Sequence, residues 1–194
     1  MRVLHTRGVA HTRFDPTSDR FRQVLGHFCT GVTIITTADE AGPAGFACQA
    51  FAALSLEPPL VLFCPSKASA TWPRIAATGT FCANVLEVSQ LEVARVFGTP
   101  GADKFGGVPW SACTSGAPVL DGVLTWAGCD VVDAREVGDH YVVIGQVTEL
   151  GETRSGEPLL FYRGRYGVPE SPPAEGPPEV VDTILAWPHH ADWI

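Results

Sequence analysis

The sequence is short of the features that mark several large functional classes. No stretch approaches the ~20 apolar residues that a membrane-spanning helix needs, so no transmembrane segment is expected. Positive charge is scarce: 13 Lys and Arg stand against 21 Asp and Glu, a net charge of −8. That balance speaks against a nucleic-acid surface, which depends on clustered cations that displace counterions. It leaves room for a bound phosphate, which needs only one or two cations and a few backbone N–H groups. There is no Gly-x-Gly-x-x-Gly and no Gly-x-x-x-x-Gly-Lys-Ser/Thr, so neither a Rossmann domain nor a P-loop is indicated. A Gly-x-Ser-x-Gly elbow and a His-Glu-x-x-His helix are missing too. The first seven residues are mildly basic, but no apolar run follows, and no signal peptide is expected.

Six cysteines are present, none in a Cys-x-x-Cys pair. Zinc spacing is absent. Four of them sit inside apolar runs, as Cys64 does in Leu-Val-Leu-Phe-Cys. The expectation is small core residues of a reduced, cytoplasmic protein, with no metal. His189 and His190 read as an exposed polar pair.

What is present is one domain's worth of chain, 194 residues at 45% apolar content. Residues 1–18 show no period and read as a loose arm. Phe21, Val24, Leu25 and Phe28 form a helical stripe ended by Gly31. Val32–Thr37 and Ala44–Ala50 predict two strands of a hairpin around Asp39–Pro43. Leu60–Cys64 predicts a fully buried strand, Thr71–Thr78 a short helix, and Phe81–Leu86 another strand. Ser89 and Glu92 suggest a capping box opening a helix to Phe97. Residues 99–118 read as a long loop. Leu124–Val137 and Tyr141–Leu150 predict long strands around a Gly138–His140 turn, and Leu159–Tyr162 a last one. Residues 168–194 form a Pro- and Glu-rich linker and tail. Strands dominate, so residues 19–167 are expected to form an antiparallel barrel with peripheral helices.

The chemistry-bearing residues are small and polar and gather at strand ends. Ser66, Ser69 and Thr71 offer hydroxyls and Lys67 a charge just before a helix start, a combination that suits phosphate. The same residues also suit plain helix caps.

Five segments resemble, in order, the short-chain flavin reductases of two-component monooxygenases: Phe21–Thr37, Gly45–Leu60, Asp103–Phe105, Gly138–His140 and Leu160–Gly164. Within that family, the run Cys48–Pro59 and the terminal Asp192-Trp-Ile are most similar to reductases that serve steroid-ring hydroxylases of actinobacterial sterol degradation. The resemblance implies a mainly β fold, an antiparallel, Greek-key-like FMN-binding split barrel, and a homodimer with flavin near the subunit interface. It implies FMN or FAD as flavin, NADH or NADPH as donor, and a flavin-dependent oxygenase reached by diffusible reduced flavin. Phe46, Ala47, Gln49 and Ala50 would line the flavin. Cys64, Pro65, Ser66, Ala70 and Thr71 would hold its ribityl-phosphate end, and Phe97, Lys104 and Phe105 would close over it. His140, the candidate catalytic residue, would share the nicotinamide side with Tyr162, Arg163 and Tyr166. Many relatives carry Ser where Ala50 stands, so one hydroxyl contact is lost here. Hydride transfer needs stacked rings in a dry slot rather than a protein nucleophile, which accords with a chain without a catalytic cluster. Two other readings stay open: an oxidase resembling those of pyridoxamine phosphate, which requires more Arg and Lys, and a non-enzymatic flavin or haem carrier.

Overall fold

The computed structural model describes residues 18–167. The proposed arm up to Thr17 and the tail from Val168 lie outside them.

An unbroken β-branched run, Val32–Thr37, opens the strand-rich part of the chain, and the chain answers with antiparallel strands. β1 (Thr30–Gly31) is short; β2 (Thr33–Asp39) and β3 (Gly42–Cys48) form the expected hairpin. β4 (Phe51–Leu56) pairs with β5 (Pro59–Phe63), α2 (Trp72–Thr78) leads to β6 (Thr80–Val85), and α3 spans Leu91–Gly98. A small hairpin, β7 (Trp110–Ala112) and β8 (Pro118–Leu120), precedes the long pair β9 (Thr125–Val137) and β10 (His140–Leu150). β11 (Leu160–Tyr162) and β12 (Arg165–Tyr166) join β1 in a small second sheet. α1 (Ser18–Leu25) stands at the start.

The main sheet has seven strands in the order β3-β2-β6-β9-β10-β5-β4. β3 and β4 are its two edges, yet only Gln49 and Ala50 separate them in sequence. Two residues cannot span a flat seven-stranded sheet at ~4.8 Å per strand. The sheet therefore curls until its edges meet, as the expected split barrel requires.

One core cluster fills the barrel. Phe63 and Phe81 meet edge-on at 4.8 Å between ring centres, beside Ile35, Ile75 and Val143. Gly145 faces this pair, and a Cβ there would stand 2.4 Å from Phe81 Cζ, so the strand tolerates only glycine at that level. A second cluster, with Phe97, Leu86, Leu120 and Leu159, packs α3 against the barrel. Asn84 is fully buried between the two sides. Its amide donates to Ile34 O, Thr36 Oγ1 and Pro118 O, each at 3.2 Å, and its Oδ1 accepts from Leu120 N at 2.9 Å. One side chain thus ties the β7–β8 hairpin to the barrel and leaves no polar atom stranded.

Several local expectations shift. The capping box is built by Glu87 and Gln90, not Ser89 and Glu92: Glu87 Oε2 accepts from Ser89 N, and Glu87 N donates to Gln90 Oε1. Val88 N donates to Glu157 O, which holds Glu87 extended and starts a 3₁₀ turn at Val88. β5 is only half buried, with Val61 and Phe63 inside and Leu60 and Leu62 on a thinly covered face. His140 is the first residue of β10, paired with Val137 across a two-residue turn. The expected loop 99–118 instead carries β7 and leads into β8, a hairpin that Asn84 fastens through Pro118 O and Leu120 N. All six cysteines are unpaired, four of them buried.

Candidate functional site

Where the curled edges meet, a cavity of about 950 Å³ opens. That is the upper range of sites for cofactor-sized ligands. β3 and the Gln49–Ala50 link form one wall, the segment from Cys64 to Thr71 a second, and the end of α3 with the loop to Phe105 a third.

Gly45 shapes the third wall. A Cβ on Gly45 would lie 2.8 Å from Phe97 Cε1 and 3.0 Å from Ile35 O. Its absence lets the Phe97 ring rest on the backbone of β3, and Phe97 in turn meets Phe105 edge-on at 5.1 Å. The Gly45 carbonyl then becomes a hub: Lys104 Nζ donates to it at 3.0 Å and Thr71 Oγ1 at 3.2 Å. Burial pushes the Lys104 ammonium below its ordinary pKa. Lys104 is thus a partly desolvated cation held in the cavity wall, which suits a ligand phosphate.

The second wall carries the hydroxyls. Ser69 Oγ accepts from Trp72 N at 3.2 Å, and Ser66 Oγ accepts from Ala68 N at 3.2 Å. The segment is braced on the β9–β10 hairpin by Lys67 N to Asp139 O and by Tyr141 N to Pro65 O, both 2.9 Å. Lys67, whose charge before the helix would suit a phosphate, does not line the cavity and pairs with Glu136 at 2.8 Å. The second cation of the cavity is Arg74, in the first turn of α2. Asp39 grips it from Nε at 2.6 Å and also from Nη2, and Gly42 O accepts from the same Nη2. The Arg74 guanidinium holds the Asp39 carboxyl below its usual range.

His140 sits at the rim with its Nδ1 2.8 Å from Asp139 Oδ1. The hydrogen bond from His140 lowers the Asp139 pKa, so this carboxylate stays ionised and orients the ring. Burial raises both thiols that line the cavity, Cys48 to about 11. Neither is a nucleophile at neutral pH.

The fold therefore gathers Phe46, Ala47, Gln49, Ala50, Cys64, Ser66, Ala70, Thr71, Phe97, Lys104, Phe105 and His140 around one cavity. Pro65 is buried behind its wall. Tyr166 packs on Phe161, its hydroxyl close to Gly98 on the cavity's outer side. Tyr162 and Arg163 do not line the cavity: Tyr162 Oη lies 3.4 Å from His27 Nδ1, and Arg163 N donates to Gly26 O. Arg74, Ser69 and Gly98 line it without having been singled out as flavin contacts. Ser69 had been noted only for its hydroxyl. Arg74 had no local signal, because its partner Asp39 is 35 residues away.

Comparison with known proteins agrees with this geometry. The model of the flavin reductase like domain matches residues 25–169. The chain is 52% identical over 158 residues to the reductase subunit HsaB of a flavin-dependent monooxygenase from Rhodococcus jostii, covering 81% of this chain and 80% of that protein. It superposes on nitrilotriacetate monooxygenase component B from Mycobacterium thermoresistibile with a TM-score of 0.76 at 50% identity, over 84% of this chain and 93% of that one. A Streptomyces globisporus NADH:FAD oxidoreductase, SgcE6, solved with NAD and FAD fragments, gives a TM-score of 0.77 at 35% identity over 83% and 98% of the two chains. The chain belongs to the flavin reductase family.

Proposed function

We propose that this protein is the NADH-dependent reductase component of a two-component monooxygenase, reducing FMN or FAD for a separate oxygenase. The observation that carries this reading is the large cavity in which hydroxyls, two cations and an aromatic wall converge beside His140. The residues fit a flavin. Phe46, Ala47, Gln49 and Ala50 line one wall along which the flavin ring would lie, and Ser66, Ala70 and Thr71 with Lys104 offer a phosphate-binding end. When bound, the flavin ring system supplies the two-electron acceptor chemistry. The chain's own part is to exclude water through Phe97 and Phe105, to neutralise phosphate with Lys104, and to orient the donor through His140, held by Asp139. An oxidase of a phosphorylated pyridine is less well served, because Arg74 is already committed to Asp39.

A homodimer is part of the same reading. Phe21, Val24, Leu25 and Phe28 are 50%, 57%, 54% and 78% exposed, an apolar stripe that a second copy would cover. Tyr162 and Arg163 lie beside this stripe, so their place on the nicotinamide side depends on the second subunit. A cytoplasmic site is supported by six unpaired thiols. No helix among the described residues is long and apolar enough to cross a membrane. The similarity to the HsaB subunit of a flavin-dependent monooxygenase supports an oxygenase partner, and its action in steroid or aromatic-compound degradation is what the resemblance of Cys48–Pro59 implies.

The test is NADH oxidation by the purified full-length protein with and without added FMN or FAD, repeated with NADPH. Flavin-dependent oxidation, reduced at least about tenfold in kcat/KM by His140→Asn with unchanged flavin affinity, supports the assignment. NADH oxidation that needs no flavin, or a His140→Asn variant that loses flavin binding instead, contradicts it.

A further inference from the structure

Two pairs of thiols come together in this fold, and they differ in chemistry. Cys48 and Cys64 adjoin under the cavity, where burial raises both. Cys82 and Cys113 adjoin on the opposite side of the barrel, in a small cluster with Ala117. Cys82 is on β6, opposite Gly128 of β9. Cys113 is the first residue after β7, in the turn of the β7–β8 hairpin. Gly128 lies beneath Cys113: a Cβ there would stand 3.8 Å from Cys113 Sγ, an ordinary contact distance.

The surroundings of Cys113 favour its thiolate. Ser115 Oγ lies 3.2 Å from it, and Cys82 and the Ser115 and Ala117 backbone are its other hydrogen-bonding neighbours. These donors, Cys82 foremost, hold its pKa well below the ordinary thiol range. Hydrogen bonding to Cys113 and burial raise that of Cys82. Glu149, the nearest carboxylate, is engaged with Thr114 N at 2.9 Å. Cys113 itself is 8% exposed and Cys82 is covered, but Thr114, Ser115 and Gly116 beside Cys113 are exposed, so a small oxidant approaches from the turn. One thiolate beside one protonated thiol is the arrangement of an attacking and a resolving cysteine.

We propose that Cys82 and Cys113 form a peroxide-oxidisable pair that closes into an intrachain disulfide. The oxidant is hydrogen peroxide, which free reduced flavin yields with dioxygen. The Cys113 thiolate attacks one peroxide oxygen, the O–O bond breaks, and a sulfenic acid and hydroxide form. The Cys82 sulfur then attacks Cys113 Sγ, its proton leaves with the departing hydroxide, and the S–S bond forms. The thiolate and the thiol together lose two electrons, and one peroxide becomes one water and one hydroxide, which takes up the proton Cys113 had released to solvent. The bond pins the hairpin that carries Trp110 to the barrel, and Trp110 meets Phe105 of the cavity wall at 6.0 Å.

The experiment exposes the reduced full-length protein to hydrogen peroxide, alkylates it in denaturant, and maps the peptides by mass spectrometry. The expected result is loss of two thiols and a Cys82–Cys113 cross-linked peptide, with Cys48 and Cys64 alkylated. In Cys113→Ser, a conservative change at the turn, Cys82 should stay reduced. The proposal is overturned if thiols are not lost, if Cys113 is oxidised without joining Cys82, if the cross-link is Cys48–Cys64, or if Cys113→Ser still loses Cys82 at the wild-type rate.

Discussion

Replacing Gly45 by alanine perturbs fold and cavity at one atom. The added Cβ would meet Phe97 Cε1 at 2.8 Å, Ile35 O at 3.0 Å and Phe97 Cδ1 at 3.1 Å. Ile35 O belongs to the β2–β3 ladder and cannot retreat without breaking it, so the Phe97 ring must move. That ring is only 1% exposed and is wedged against Phe105. Overpacking of this kind costs about 1–3 kcal/mol. For a chain of this size that is a fall in melting temperature of roughly 3–10 °C. Thermal melts and flavin fluorescence quenching read both effects: Gly45→Ala should melt lower and bind flavin more weakly. Phe97→Leu makes room for the methyl, so the double variant should lose less than the sum of the two single losses. A Gly45→Ala protein that melts within a degree of wild type and binds flavin equally would refute the close packing of α3 on β3.

Asn84→Ala strands buried groups, Leu120 N among them, and should cost at least about 1–3 kcal/mol by urea denaturation, while loosening the β7–β8 hairpin in hydrogen exchange. Lys104→Met retains the stem and removes the cation; flavin affinity should fall about tenfold, with a smaller change for riboflavin, which has no phosphate. Asp39, held below its ordinary value of 3.8 by Arg74, contributes stability that is present above that pH and lost as pH falls through the depressed value. Denaturation midpoints of wild type should therefore drop more steeply below about pH 4 than those of Asp39→Asn.

The sequence made the strand-rich architecture legible because Val32–Thr37, Phe81–Leu86 and the two long strands near the C-terminal half have clear composition and are bounded by Gly or turn residues. Gly79 stops α2 in a left-handed conformation, φ 71°, as a glycine after Thr78 suggests. Most of the cavity was legible through the resemblance of contiguous segments such as Gly45–Leu60. Features set by distant contacts were not. The position of Lys67 near a helix start suits a phosphate, but Glu136, 69 residues away, takes its charge. β4 hides in an Ala-rich run whose partner is β5 and whose role is to close the barrel edge. The α1 stripe looks like a core face and is exposed in the single chain, since its periodicity shows that something covers it without saying what.

The most direct test mixes flavin-saturated protein with NADH in the absence of oxygen and follows the flavin's visible absorbance. The account expects bleaching many times faster than in a protein-free control, slowed in both His140→Asn and Lys104→Met. Flavin that is bound, by its quenched fluorescence, yet bleaches no faster than free flavin would contradict it and leave a carrier in place of a reductase.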